Sequence, residues 1–305
     1  MQPVRILVTG ARGCLGRHLC QALQQRSTCE LRAASRSILN LRDPEQTQRV
    51  VQQFQPQQIY HLAGNIHAGR GSNSSHRDAW EDNLTGTLNL LDTCLTLSEK
   101  PRVLFASTGA IYGETAGKLI TETTPLQPLN SYAASKAAAD LVVFHYYASF
   151  GLPTVRARLF NYLAADQDDS TALSRFARQL RELKQHTVSG PLPVLKTGSL
   201  DAERDFLDVA DMVEGMMLLM EHGQPGEAYN VASGTSQPMR WYLDRLIALS
   251  GMQVKVESTP DPLRREAKRL KVDVSKLQTL TGWKVRVKIE EALGMLLRRK
   301  SEPKD

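Results

Sequence analysis

The first half of the chain alternates short apolar runs with amphipathic helical stretches, and few folds satisfy that rhythm. The runs fall at Ile6–Val8, Glu30–Ala34, Gln58–Leu62, Val103–Ser107 and Thr154–Leu159. Between them lie helical patterns at Leu15–Gln25, Pro44–Phe54, Trp80–Leu97 and Tyr132–Phe150. Strand–helix–strand alternation implies parallel strands joined by helical crossovers, with helices covering both apolar faces of the sheet. The expected fold class is α/β, a doubly wound parallel sheet. After Asn161 the pattern loosens. Helical segments at Leu173–Lys184, Ala210–Glu221, Trp241–Ser250 and Ile289–Arg299 are separated by Pro/Gly loops and short strands such as Ala228–Val231. The expected organisation is a first domain over 1–165, a smaller mixed C-terminal lobe over 166–300 that returns some strands to the main sheet, and a disordered tail over 301–305.

The first run is followed by Thr9-Gly10-Ala11-Arg12-Gly13-Cys14-Leu15-Gly16, a G-x-x-G-x-x-G turn leading into a helix. Glycines at such a turn let the backbone approach a diphosphate, and the helix N-terminus favours its negative charge. A tight structural turn has the same composition, but the position after the first strand points to a dinucleotide and to a Rossmann-type domain. NAD sites place an acid at the end of the second strand, whereas a nearby arginine suits a 2′-phosphate. This chain has Ser35-Arg36 there and Arg12 in the glycine turn. Either arginine pairs with phosphate or simply points to solvent; the pattern favours NADP over NAD.

Tyr132 and Lys136 stand four residues apart in a stretch rich in helix formers, one turn apart on one face. A positive charge beside a phenol favours the phenolate and suits the tyrosine to proton transfer with an alcohol or sugar oxygen. By itself this spacing also describes an ordinary surface pair. The fourth run ends in Ser107-Thr108-Gly109-Ala110, and ligands of open α/β sheets bind at the C-terminal ends of strands. Thr108 is the better candidate to hold a substrate oxygen; a capping or turn role suits Ser107. His61-Leu62-Ala63-Gly64 closes the third strand, and Asn83–Leu91 is expected to open a helix.

The net charge is +6 over 305 residues. The basic residues are dispersed, without the aromatic interleaving of a nucleic-acid surface, so no nucleic acid is expected as partner. A nucleotide with a diphosphate suits the same balance. No apolar run reaches the ~18 residues of a membrane span. The first strand begins almost at Met1, leaving no room for a signal peptide. The four cysteines, Cys14, Cys20, Cys29 and Cys94, carry no metal-ligand spacing among themselves. They read as free thiols in a reducing, cytoplasmic setting, with no metal site expected.

The motifs together resemble an extended short-chain dehydrogenase/reductase acting on nucleotide sugars. The residues that carry the resemblance are Thr9–Gly16, His61–Gly64, Ser107–Gly113, Tyr132 with Lys136, and Arg158–Asn161, in the family's order. The second half is most similar to GDP-6-deoxy-4-keto-mannose reductases, which form GDP-rhamnose, through Phe176–Gln179, Thr197–Val209, Gly226–Gly234, Leu263–Arg265 and Thr281–Lys284. The resemblance implies a nucleotide-sugar substrate and a homodimer formed through the helix of Tyr132. It implies Tyr132 as general acid toward the C4 keto oxygen, Lys136 as its partner and a ligand of the nicotinamide ribose, and Thr108 on the same oxygen. Cofactor contacts are implied at Gly10, Arg12, Gly13, Cys14, Leu15, Gly16, Arg36, Leu41, Leu62, Ala63 and Gly64. Asn161 would hold the sugar-nucleotide, with Arg204 and Arg264 on its diphosphate; Arg204 beside Asp205 also fits a plain surface ion pair. Dehydratases of the superfamily carry an acid just after the catalytic threonine, where this chain has Gly109 and Ala110, so elimination of water is disfavoured. Reduction is therefore expected, with an NAD-retaining epimerase or a non-catalytic dinucleotide sensor as the alternatives.

Overall fold

A computed structural model describes residues 3–26, 29–66, 76–169, 171–186, 191–259 and 269–298. The first half runs β1 (Val4–Thr9), α1 (Cys14–Arg26), β2 (Cys29–Ala34), α2 (Pro44–Phe54), β3 (Gln58–His61), α3 (His76–Trp80), α4 (Gly86–Leu95), β4 (Arg102–Thr108), β5 (Leu119–Ile120), α5 (Ser131–Phe150) and β6 (Thr154–Leu159). Then follow β7 (Asn161–Leu163), α6 (Ala172–His186), β8 (Val194–Thr197), β9 (Glu203–Asp208), α7 (Val209–His222), β10 (Ala228–Val231), β11 (Ser236–Pro238) and α8 (Met239–Ser250). The described chain ends with β12 (Lys255–Ser258), β13 (Lys271–Val272), α9 (Ser275–Thr281) and α10 (Ile289–Arg298).

Six strands form one parallel sheet in the order β10-β6-β4-β3-β1-β2. The order reverses between β1 and β3, and ligands of doubly wound sheets bind at that reversal, beyond the strand C-termini. The register places Thr9 beside His61 there. The α/β class read from the sequence is the one observed. One face of the sheet packs with α1 and α7 around Leu19, Leu23, Met212 and Met216. The other packs with α2, α4 and α5 around Val51, Leu90 and Val143. A third core around Leu173, Leu180, Leu243 and Leu293 joins α6, α8 and α10 beside the sheet β11-β9-β7.

Helix starts are set locally. Asp43 accepts the Gln46 N–H at 2.9 Å ahead of Pro44, which lacks a donor where none is needed. Asn130 accepts the Ala133 N–H at 2.9 Å, so α5 starts at Ser131 and Tyr132 stands in its first turn. Gly151, with φ of 65°, ends the same helix in a left-handed cap. Asn83 does not open a helix as expected. It lies in a π-type turn, Glu81–Thr85, that links α3 directly to α4. Such bulges accompany functional sites, because the extra residue redirects a side chain.

Candidate active site

Helix α5 lays Lys136 across the C-terminal ends of β3 and β4. Its side chain is buried, with the ammonium 4.1 Å from the centre of the Phe105 ring. Among the described residues it has no hydrogen-bond acceptor. Burial lowers its pKa to about 7, and the Asp140 carboxylate one turn on opposes that drop. Tyr132 is half-buried one turn earlier. Thr108 closes β4; its hydroxyl oxygen accepts the Ala110 N–H at 3.2 Å, leaving the hydroxyl proton to donate elsewhere. The capping role assigned to Ser107 therefore belongs to Thr108. The Ser107 hydroxyl is buried without a hydrogen-bond partner of good geometry.

The glycine turn is shaped by close approach. Gly10 has φ of 71°, and a Cβ there would stand 2.7 Å from the Ala63 nitrogen. A Cβ on Gly16 would meet the Gly10 carbonyl at 2.3 Å. Side chains at both positions would push β1, β3 and α1 apart. Gly13 is exposed and faces open space beyond the Gly10 carbonyl, so a diphosphate can come close to its backbone. The open turn and the Lys136 ammonium, without an acceptor among the described residues, fit a dinucleotide with its diphosphate at α1 and its ribose hydroxyls at Lys136. Behind the turn a buried relay ties the strands to α4. The Ala63 N–H donates to the Thr9 hydroxyl, which lies 2.8 Å from His61 Nδ1; His61 Nε2 lies 2.9 Å from Thr87 Oγ1. Thr87 donates to the Asn83 carbonyl, so the His61 proton belongs on Nε2. Burial, and then Lys136, hold that imidazole neutral with a pKa of about 3.

Residues 6–232 match the NAD dependent epimerase/dehydratase family. The chain belongs to that family. It is 31% identical over 296 residues to the GDP-6-deoxy-D-mannose reductase of Pseudomonas aeruginosa, covering 96% of each chain. Its fold superposes on a structure of RMD from Pseudomonas aeruginosa complexed with NADPH, with a TM-score of 0.85 and 29% identity over 96% of this chain and 97% of that one. A UDP-glucose 4-epimerase of Thermus thermophilus in complex with NAD aligns with a TM-score of 0.82 and 27% identity, covering 97% and 98%.

Of the two positions after Thr108 considered for an acid, Gly109 is closed by packing and Ala110 is open. A Cβ on Gly109 would stand 2.5 Å from the Phe160 ring, and Ala110 is exposed. Asn161 begins β7 and donates to the Asp205 carbonyl at 3.1 Å. The surface ion pair considered for Arg204 and Asp205 is replaced by another arrangement. Arg204 donates to the Glu203 carbonyl, while the buried Asp205 carboxylate accepts the Ser233 N–H at 2.7 Å. Arg264 lies outside the described residues. Cys14 and Leu15 are half-buried in the first turn of α1. Leu41 is buried against Gly86, and its carbonyl takes the Asn89 amide. Arg12 is exposed at the turn.

Arg36 pairs with Asp82 at 2.5 Å, and Arg42 reaches the same carboxylate at 2.6 Å. Three further contributors escape sequence reasoning. Asn83, fully buried, grips both backbone groups of Asn65 and donates to Ser135 on α5. Asp140 takes Arg158 and Arg156 in a buried ion cluster beneath Lys136. Burial alone would raise the Asp140 carboxyl, but the hydrogen bonds and charge of Arg158 hold it below the usual range. Tyr162 is close enough to Cys14 and Tyr132 to interact electrostatically with both, and burial raises its phenol. The one available signal was the acidic Asp140 one turn after Lys136 in an alanine-rich stretch.

Proposed function

We propose that this protein is an NADPH-dependent oxidoreductase that reduces the C4 keto group of GDP-4-keto-6-deoxy-mannose to give GDP-rhamnose. The observation that carries the reading is the buried Lys136 ammonium, which has no hydrogen-bond acceptor among the described residues, one helical turn from Tyr132 and near a Thr108 hydroxyl that accepts the Ala110 N–H. Bound NADPH would supply the hydride to C4. Tyr132 donates its proton to the C4 oxygen as charge develops there, and Thr108 donates a hydrogen bond to the same oxygen. Lys136 holds ribose hydroxyls and places positive charge beside the Tyr132 phenol. The glycine turn with Cys14 and Leu15 takes the diphosphate of the dinucleotide, flanked by Arg12, Arg36, Leu41 and the 62–64 loop. Asn161, Arg204 and Arg264 hold the sugar nucleotide. Residues 1–165 form the dinucleotide domain and 166–300 the sugar-nucleotide lobe. The absence of an acid at Gly109 and at Ala110 supports reduction rather than elimination.

Exposed Leu141, Phe144, Tyr147 and Phe150 support a homodimer in which α5 packs against a second copy. Sedimentation of the purified chain tests it. For the reaction, NADPH consumption is followed with the keto sugar and with Tyr132→Phe. The variant keeps its NADPH affinity and loses about 10²- to 10⁴-fold in turnover. Undiminished turnover, or a tightly copurifying NAD with interconversion of hexose epimers and no net NADPH use, would overturn the reading.

A further inference from the structure

Folding brings together three residues that the sequence keeps apart. Cys14 and His18 lie four residues apart on the first turns of α1, and so share one face. Asp166 arrives from the loop after β7. His18 Nε2 is 2.8 Å from Asp166 Oδ1, and Cys14 Sγ is 3.6 Å from that oxygen. All three candidate donor atoms lie within 4.8 Å of one another. We propose that Cys14 Sγ, His18 Nε2 and Asp166 Oδ1 form a site for a borderline-soft divalent transition metal, best matched by Zn²⁺, with the fourth position open to water.

The donor set is the reason for that choice. One thiolate, one imidazole and one carboxylate suit zinc, whereas magnesium and calcium take oxygen ligands. Zinc bonds of about 2.0–2.3 Å give a tetrahedron with edges of roughly 3.3–3.8 Å. The Cys14–Asp166 separation already matches, and the His18–Asp166 edge opens by only a few tenths of an ångström. Arg17 holds the other carboxylate oxygen, Oδ2, at 2.7 Å through Nη2 and 3.3 Å through Nε. That leaves Oδ1 turned toward the other two ligands, as outer-shell partners of metal-bound carboxylates do. Its positive charge weakens the site without occupying it. The Asp166 carboxyl itself is held near 2: burial would raise it, but His18 and Arg17 outweigh burial.

Without metal, burial and then Asp166 push the Cys14 thiol up to about 12. Binding breaks the S–H bond and forms the sulfur–metal bond, with that proton leaving to solvent; the His18 proton that Nε2 donates to Asp166 shifts to Nδ1, freeing Nε2 for the metal, so affinity rises with pH. The ion would clamp the start of α1, next to the glycine turn, to a loop 152 residues away. This site uses neither Tyr132 nor Lys136; it shares Cys14 with the proposed diphosphate turn, so its metal affinity is read on the dinucleotide-free chain, where failure of the site leaves the reductase reading untouched.

The test is a Co²⁺ titration of the tag-free, dinucleotide-free chain. One equivalent should bind, with tetrahedral d–d bands and a thiolate-to-cobalt charge-transfer band, all displaced by Zn²⁺. Zn²⁺ should also raise Tm in a concentration-dependent way. His18→Gln and Asp166→Asn should each weaken binding at least about tenfold, the minimum expected from loss of a neighbour to the metal. Cys14→Ser should remove the charge-transfer band while circular dichroism stays native. If a variant unfolds, peptide-mapped alkylation of the wild type decides instead: Zn²⁺ should shield Cys14 but not Cys20 or Cys29. Absence of the band, survival of the band in Cys14→Ser, or equal labelling of Cys14 with and without zinc overturns the site.

Discussion

Lys136 is the residue at which stability and chemistry should oppose each other. Its ammonium is buried over Phe105, and burial brings its pKa from an ordinary 10.5 to about 7. At about 1.4 kcal/mol per tenfold change in proton affinity, that displacement costs the folded state on the order of 5 kcal/mol when the group is fully charged, and about 4 near pH 7 where it is half-charged. Lys136→Met keeps the length of the side chain and places a thioether near the ring instead of a charge. The variant should therefore be more stable than wild type at neutral pH, by up to about 4 kcal/mol, with part of the gain lost to imperfect packing. The sign with pH is defined. The folded pKa lies below the unfolded one, so the unfolded chain holds the proton more tightly between pH 7 and 10.5. The cost of burying Lys136 is fully present below pH 7 and fades as pH rises toward 10.5. Urea unfolding of both proteins, without dinucleotide, at neutral and alkaline pH gives the difference directly, because groups common to both cancel. The gain should shrink with rising pH, and NADPH-dependent turnover should be lost. A Met variant no more stable than wild type at neutral pH, or a gain indifferent to pH, would refute the reasoning.

Three further outcomes follow from the packing. Gly109→Glu should create no dehydratase, because its Cβ would stand 2.5 Å from Phe160; overpacking should cost about 1–3 kcal/mol in denaturant unfolding. An equally stable variant would show that the Phe160 ring yields. Asp140→Ala strips the counter-charge from Arg158 and Arg156 and should destabilise by about 3–5 kcal/mol, whereas a surface pair would cost under ~1. Asp82→Asn should release Arg36 and Arg42 toward a 2′-phosphate, tightening NADPH about two- to fivefold while leaving NADH unchanged, as fluorescence titration would show. Parallel changes for both dinucleotides would place Arg36 away from the phosphate.

Much of the fold was legible because its signals are local. Apolar runs at Gln58–Leu62 and Val103–Ser107 became the adjacent strands β3 and β4, and Pro44 and Gly151 mark real helix boundaries. Asn83 was misread as a helix start because hydrophobic periodicity does not distinguish a π-type turn inside a continuous helical run. Within the candidate site, Tyr132, Lys136 and the glycine turn were visible because their spacing is set within one helix or one turn. Arg36 was read as a phosphate partner or a solvent-facing side chain and not as half of an ion pair, since Asp82 reaches it only across the fold.

The sequence by itself therefore determined the parallel sheet, the glycine turn at its reversal and the one-turn spacing of Tyr132 and Lys136, because backbone periodicity and local sterics decide these. Tertiary structure alone decided the electrostatics. It removed Lys136 from water, set Asp140 beneath it between two arginines, gave Asp82 to Arg36 and carried Asp166 to Cys14 and His18. Charges and donor atoms act through distance and dielectric, and both are settled only when segments remote in sequence pack together.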